Sequence, residues 1–211
     1  MRKVQWTYDV HPGVAMVQSA IAAMKKKTGR SFDEWMKLIK QEAPSTEKER
    51  REWLKAKHGM GTNDAAWIAA CSVGKGEDGD PERYLREAYE NVDKMFSGPK
   101  EELRPIYDEL LKMGKALGED VKVCPCQTIV PLYRNHVFAQ VKPSTRTRID
   151  FGLALKDTKT PKRLIDTGGF AKKDRITHRF EIFSVDEIDD EVRRWTRKAY
   201  EMDAAKQQPA K

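Results

Sequence analysis

The residues with the clearest chemical potential are basic side chains in a segment rich in β-forming residues. Arg146, Arg148 and Asp150 occupy alternate positions, which is the period of a strand with one polar face. Two guanidinium groups on a sheet can clamp a phosphate or a carboxylate through paired hydrogen bonds. The pattern predicts an anion-attracting surface, with nucleic acid as the leading partner class and a small acidic ligand as the second. The predicted binding residues are Arg134, Lys142, Arg146, Arg148 and Arg179. A solvated sheet face held by salt bridges is the alternative interpretation.

A second candidate anion site is the turn Gly59-Met60-Gly61, which precedes a predicted helix. The pattern is similar to the core of a helix-hairpin-helix, in which glycines let the turn approach a phosphate. The free amides at the start of the following helix would then attract the anion. A two-glycine turn between packed helices, without any ligand, is the alternative.

Two further hypotheses come from other functional classes. In the first, Tyr133, His178 and Arg148 line an enzyme pocket between the sheet and the helices, and the substrate is a small acidic molecule. In the second, the chain is an adaptor that binds another protein through an exposed apolar patch. The sequence contains neither H-E-x-x-H nor G-x-S-x-G. No catalytic residues are therefore predicted, and a non-enzymatic binding module is favoured.

The cysteines do not indicate a metal site or a disulfide framework. Cys124 and Cys126 are separated by one residue, whereas zinc ligands usually have a gap of two to four residues and a second ligand pair. Three cysteines in the whole chain are too few for a disulfide-stapled fold. We therefore predict packing roles for the thiols, no metal and no cofactor.

Composition is compatible with a water-soluble protein. The 211 residues carry a net charge of +7, and residues 120–180 contain 13 Lys or Arg against 5 Asp or Glu. No window approaches the roughly 18 uninterrupted apolar residues of a membrane helix. The charged N-terminus lacks the apolar stretch of a secretory signal. These features predict a cytoplasmic protein without a membrane partner.

The elements that must position these residues fall into two predicted modules. Residues 12–73 are predicted to form three to four short helices, the first over residues 14–27 because apolar residues recur there every three or four positions. Capping boxes at Ser31 and Thr46 predict the starts of the second and third helices. Ala65 to Cys71 completes the module.

The second module is predicted over residues 80–203, after a linker rich in Gly and Asp. Pro81 begins one helix, and a second apolar helical stripe follows it. Four segments then alternate as strands do: Thr128 to Tyr133, His136 to Val141, Arg146 to Leu155 and Thr177 to Phe183. A third capping box at Ser184 predicts the start of the last helix. Because helices precede strands, the predicted class is α+β, with a mostly antiparallel sheet of four to five strands flanked by helices.

Several of these motifs also resemble known families. The stretch from Thr28 to Trp35, with Trp53-Leu54-Lys55 and His58-Gly59-Met60-Gly61, resembles a bacterial helical family described as domain of unknown function 4287. Residues from Val92-Asp93 to Ala199-Tyr200 resemble the domain that often follows it, domain of unknown function 5655. The resemblance covers residues from about 12 to 201. It implies a shared architecture and no particular activity.

Overall fold

The structure is a computed structural model that describes residues 7–76 and 78–204. The described chain divides into two compact units. The helical unit is His11–Tyr84, and the α+β unit consists of residues 7–10 and 85–204. No helix within the described residues is both long enough and apolar enough to cross a membrane.

The helical unit contains the four short helices that the sequence predicts. Their bounds are α1 Pro12–Thr28, α2 Phe32–Glu42, α3 Glu47–His58 and α4 Thr62–Ser72. Both capping boxes are confirmed, since Glu34 N donates to Ser31 Oγ at 3.2 Å and Glu49 N donates to Thr46 Oγ1 at 3.2 Å. The helices bury an apolar cluster of eight residues: Met24, Trp35, Ile39, Leu54, Met60, Ala65, Ile68 and Ala69. Burial of these side chains is the main force that holds helices this short in place.

The α+β unit is built on one antiparallel sheet of six strands in the order β1-β2-β3-β4-β6-β5. The strands are β1 Lys122–Val123, β2 Val130–Tyr133, β3 Val137–Pro143, β4 Ile149–Leu153, β5 Ile165–Asp166 and β6 His178–Ile182. Its helices are α5 Pro81–Met95, α6 Arg104–Lys115 and α7 Asp190–Ala204, and α5 begins before the boundary between the units. This architecture confirms the α+β prediction. The sheet has one more strand than the predicted maximum of five.

One face of the sheet is apolar and the other is charged. Along β6, His178, Phe180 and Ile182 are buried, whereas Arg179 and Glu181 are partly exposed. This alternation follows from the two-residue period of a strand. In the register of the sheet, Asp150 of β4 lies directly opposite Glu181 of β6.

The predicted strands differ from the observed ones in one boundary and in number. The strand predicted from Arg146 begins instead at Ile149, because Ser144 and Thr145 donate backbone hydrogen bonds to the Arg148 carbonyl and close a turn between β3 and β4. Strands β1 and β5 were not predicted, since two residues are too few to show a period.

The prediction that a capping box at Ser184 starts the last helix is wrong. The Ser184 side chain makes no capping hydrogen bond, and the residues after it form a short 3-10 turn, Val185–Glu187. Helix α7 begins later, where Asp189 Oδ1 accepts hydrogen bonds from Glu191 N and Val192 N at 3.1 Å each. The motif fails here because Glu187 Oε2 accepts its hydrogen bond from Phe183 N and not from Ser184 N, and Asp189, five positions further along the chain, caps the helix.

Candidate functional site

The predicted arginines on the charged sheet face are paired with carboxylates. Arg148 contacts Asp150 at 2.9 Å and Glu181 at 3.0 Å. Arg179 contacts the same two carboxylates at 2.8 and 2.9 Å. Two positive and two negative side chains thus form one closed cluster, so the four charges cancel locally. This arrangement leaves little free positive charge for a polyanion on this part of the sheet.

The other predicted basic residues are dispersed. Arg134 contacts Asp120 at 2.7 Å, and the hydrogen bond that the guanidinium donates to this carboxylate raises the pKa of Arg134. Arg146 lies in the exposed turn between β3 and β4, and Lys142 is exposed on β3. Within the described chain, neither Arg146 nor Lys142 forms an ion pair.

The Gly59–Gly61 turn has the predicted backbone form, but its helix start already carries a negative group. Gly59 adopts φ +61°, a left-handed conformation that favours glycine, and Gly61 is the N-cap of α4. Asp64 lies in the first turn of α4 and pairs with Lys27 at 2.6 Å. The Asp64 carboxylate therefore occupies the region where a phosphate would interact with the helix dipole.

The three residues of the predicted enzyme pocket have separate environments. His178 is buried in the apolar face of the sheet, where its Nδ1 lies 2.8 Å from Thr177 Oγ1. Arg148 belongs to the charged cluster on the opposite face. Tyr133 is half-buried at the end of β2, and burial raises the pKa of its hydroxyl. None of the three lines the cavity described next.

A cavity of about 850 Å³ opens in the α+β unit beside the C-terminal end of α7. Its volume lies in the range of small-molecule sites. Four of the lining side chains are basic or can become so: His136, Lys156, Lys173 and Arg175. Asp174 and Asp203 contribute carboxylates, and the apolar lining includes Ala154, Phe170, Ala171 and Met202.

Asp203 organises one wall of this cavity. Its Oδ2 accepts hydrogen bonds from the backbone amides of Asn135 and His136, both at 2.8 Å. Its Oδ1 lies 3.1 Å from His136 Nδ1 and also accepts a hydrogen bond from Arg175 Nη2. Since the carboxylate can only accept, His136 Nδ1 donates this hydrogen bond and Nε2 is left for other contacts. Asp203 thereby holds the β2–β3 turn and Arg175 in place.

Two lysines that line the cavity have an unusual backbone conformation. Lys156 has φ 55° and Lys173 has φ 61°, and they are the only non-glycine residues with positive φ in the described chain. The left-handed conformation costs a residue with a Cβ atom about 1–2 kcal/mol. Strain of this kind is concentrated at functional sites, so the coincidence of both lysines at one cavity is informative. Neither lysine forms an ion pair with a carboxylate of the described residues.

The turn that carries Lys173 also carries an exposed aromatic ring. Lys173 N donates to the Phe170 carbonyl at 3.0 Å, and Asp174 N donates to the Gly169 carbonyl at 2.8 Å. A Cβ atom on Gly169 would lie 2.5 Å from the Ile176 carbonyl oxygen, so only glycine permits this close approach. The Phe170 side chain is 53% exposed and lines the cavity.

Sequence reasoning did not bring these residues together. None of the predicted site residues lines the cavity, and no motif marks His136 or residues 157–174 as a site. The cavity is lined by residues from Asn135 to Ala204, which no short motif connects. The one local signal was the Gly168-Gly169 pair, which marks a tight turn without indicating what the turn presents.

Neither the buried thiol of Cys124 nor a cluster of metal ligands adds a reactive centre among the described residues. Burial raises the pKa of the Cys124 thiol to about 12, so this cysteine stays protonated at neutral pH. No group of three or more His, Cys, Asp or Glu side chains within residues 7–76 and 78–204 is placed to hold a metal ion.

The fold and the matches to protein-family models together identify the class of protein. It is a two-unit chain whose antiparallel α+β unit follows a bundle of short helices. The chain belongs to the family described as Domain of unknown function (DUF5655), whose model matches residues 92–203. A second family model, Domain of unknown function (DUF4287), matches residues 16–72. Comparison with curated proteins finds no match, and comparison with solved structures finds none either.

Proposed function

We propose that the α+β unit is a binding module for a small anionic ligand, which it holds in the cavity between Lys156, Lys173 and His136. The observation that carries this proposal is that the only two strained lysines of the described chain line the same cavity. A glycine at either position would relieve the strain. The proposal assigns the ammonium groups of both lysines a direct contact with the ligand.

The electrostatics of the cavity favour an anion. Arg175 is tied to Asp203, so these two charges balance each other. Lys156 and Lys173 then face the cavity against the single remaining carboxylate, Asp174. Protonation of His136 would add a further positive charge. An anion with two negative charges can contact both ammonium groups through charge-assisted hydrogen bonds, which are stronger than neutral ones.

Titration of the full chain with inorganic pyrophosphate, followed by calorimetry, tests this proposal. The double variant K156A/K173A removes both ammonium groups and keeps a Cβ atom, so the backbone strain is unchanged. We expect it to bind at least about tenfold more weakly than the unsubstituted chain, since one charge-assisted contact is worth about 1.4 kcal/mol or more. The matched control is K162A/K172A, which removes two exposed lysines that do not line the cavity. Equal affinity of the two double variants would refute the proposal.

A second candidate function is binding of nucleic acid through surface phosphate contacts. Its support is that Lys142 and Arg146 have no carboxylate partner among residues 7–76 and 78–204. Binding of single-stranded and duplex DNA across a salt series tests it, because phosphate contacts give an affinity that falls steeply with salt. K142A/R146A should then reduce both the affinity and the salt slope. No binding at about 50 mM salt would exclude this function.

A further inference from the structure

The chemical class of the ligand can be narrowed from the groups that the cavity places on one turn. Phe170 and Lys173 are three residues apart, and the hydrogen bond from Lys173 N to the Phe170 carbonyl fixes them in the same turn. One of these side chains is a flat apolar ring and the other is a cation. A ligand that satisfies both must therefore combine a planar apolar part with an anionic part.

The exposure of Phe170 indicates that its ring has a binding role. Phe170, Phe183, Met16 and Val185 are the large apolar side chains that are exposed in the described chain. Of these, only Phe170 lines the cavity. Aromatic rings left in water beside cations are the usual platform on which nucleobases stack, because every base offers a π-face. The neighbouring Ala171 and Met202 extend the apolar lining.

Other residues of the cavity lining suit the polar part of such a ligand. His136 is held through Nδ1 by Asp203, and its side chain is 62% exposed. Its Nε2 can accept a hydrogen bond from a sugar hydroxyl, or donate one to a phosphate when the ring is protonated. Lys156 supplies a second cation at a fixed backbone position. The cavity volume of about 850 Å³ can contain a molecule of nucleotide size.

We infer that the anionic ligand of this cavity is a nucleoside phosphate, whose base stacks on Phe170 and whose phosphate lies between Lys156 and Lys173. This inference rests on the proposed function, because it names the class of anion that the same cavity binds. It assigns separate roles to two side chains of one turn: affinity for the phosphate to Lys173 and preference for a base to Phe170.

Calorimetry of the full chain with adenosine 5′-monophosphate, ribose 5-phosphate and pyrophosphate tests the inference. We expect the nucleotide to bind about tenfold or more tightly than ribose 5-phosphate, because stacking of one base on an aromatic side chain contributes at least that factor. F170A should abolish this difference and leave the affinity for ribose 5-phosphate unchanged. F183A is the matched control, because Phe183 is 51% exposed but does not line the cavity.

The results distinguish a failure of the nucleoside phosphate inference from a failure of the proposed anion-binding function. Equal affinities for the nucleotide and ribose 5-phosphate, with pyrophosphate still bound, would overturn the nucleotide inference and leave the anion-binding function intact. A base preference that survives in F170A would also overturn it. Absence of binding for all three probes would overturn the proposed function itself.

Discussion

Replacement of the strained lysines by glycine should make the protein more stable while it weakens ligand binding. In the left-handed conformation, Lys156 and Lys173 each carry a penalty of about 1–2 kcal/mol relative to ordinary backbone. Glycine removes this penalty but loses about 0.5–1 kcal/mol through its greater freedom in the unfolded chain. The net gain expected for each substitution is therefore about 0.5–1 kcal/mol, and K156G/K173G should gain about 1–2 kcal/mol if the sites are independent.

The assay must report on the unit that contains both lysines. Three tryptophans of the described chain, Trp35, Trp53 and Trp67, lie in the helical unit, so tryptophan fluorescence would mostly follow the other unit. Hydrogen exchange of the central amides of β3 and β4 measures the opening free energy of the α+β unit directly. We expect slower exchange of these amides in K173G than in the unsubstituted chain.

The matched control for this experiment is K172G. Lys172 lies in the same turn and is equally exposed, but it does not have a positive φ. Glycine there should destabilise the unit by about 0.5–1 kcal/mol, because only the unfolded chain gains freedom. If K173G is no more stable than K172G, the strain assigned to Lys173 is wrong, and the main support for a functional lysine is lost.

Four further predictions follow from other contacts. S31A should cost the helical unit about 1 kcal/mol in urea unfolding, whereas S184A should change stability by less than about 0.5 kcal/mol, because only Ser31 caps a helix. Hydrogen bonds from Ser31 lower the pKa of Glu34 in the folded state. The stabilisation of the helical unit by this carboxylate is therefore present above the unfolded-state pKa of about 4.3 and is lost as the pH falls through the lower folded-state pKa. Urea unfolding at pH 7 and at pH 3 tests this prediction. Mass spectrometry after iodoacetamide treatment at pH 8 should find Cys124 alkylated last, because burial raises the pKa of its thiol to about 12. D203N should destabilise the α+β unit by about 2–3 kcal/mol, measured by the same hydrogen exchange, since the amide cannot accept all four hydrogen bonds of the carboxylate.

The elements of this protein were largely predictable where local chemistry decides them. The capping boxes at Ser31 and Thr46 are self-contained signals, because both hydrogen-bonding partners lie within four residues. The same motif failed at Ser184, where the nearby Asp189 caps α7 instead. A local motif thus indicates a possible cap without showing which residue caps the helix.

The candidate site was less predictable, because its chemistry depends on long-range pairing. Alternation correctly placed Arg179 in a strand, whereas Arg148 lies just before β4, and alternation could not show that both share Asp150 and Glu181. The register of β4 against β6 creates that charge cluster. Ion pairing across strands is invisible to any pattern read along a single strand.

The lysines of the cavity were missed for a related reason. Lys156 and Lys173 look like ordinary loop lysines in the sequence, where glycine or asparagine would be the usual signal of a positive φ. Their conformation is set by the turns that close around Leu155 and Gly169. The functional information therefore lies in a mismatch between residue type and backbone conformation, which only the structure reveals.

The most direct test of the binding site is to map it by nuclear magnetic resonance. Amide chemical shifts of the full ¹⁵N-labelled chain would be followed during titration with pyrophosphate. The largest changes are expected at residues 154–157 and 169–175 and at His136, which surround the cavity. Changes centred instead on Gly59 to Asp64, or on the sheet around Arg148 and Arg179, would contradict a site formed by Lys156 and Lys173.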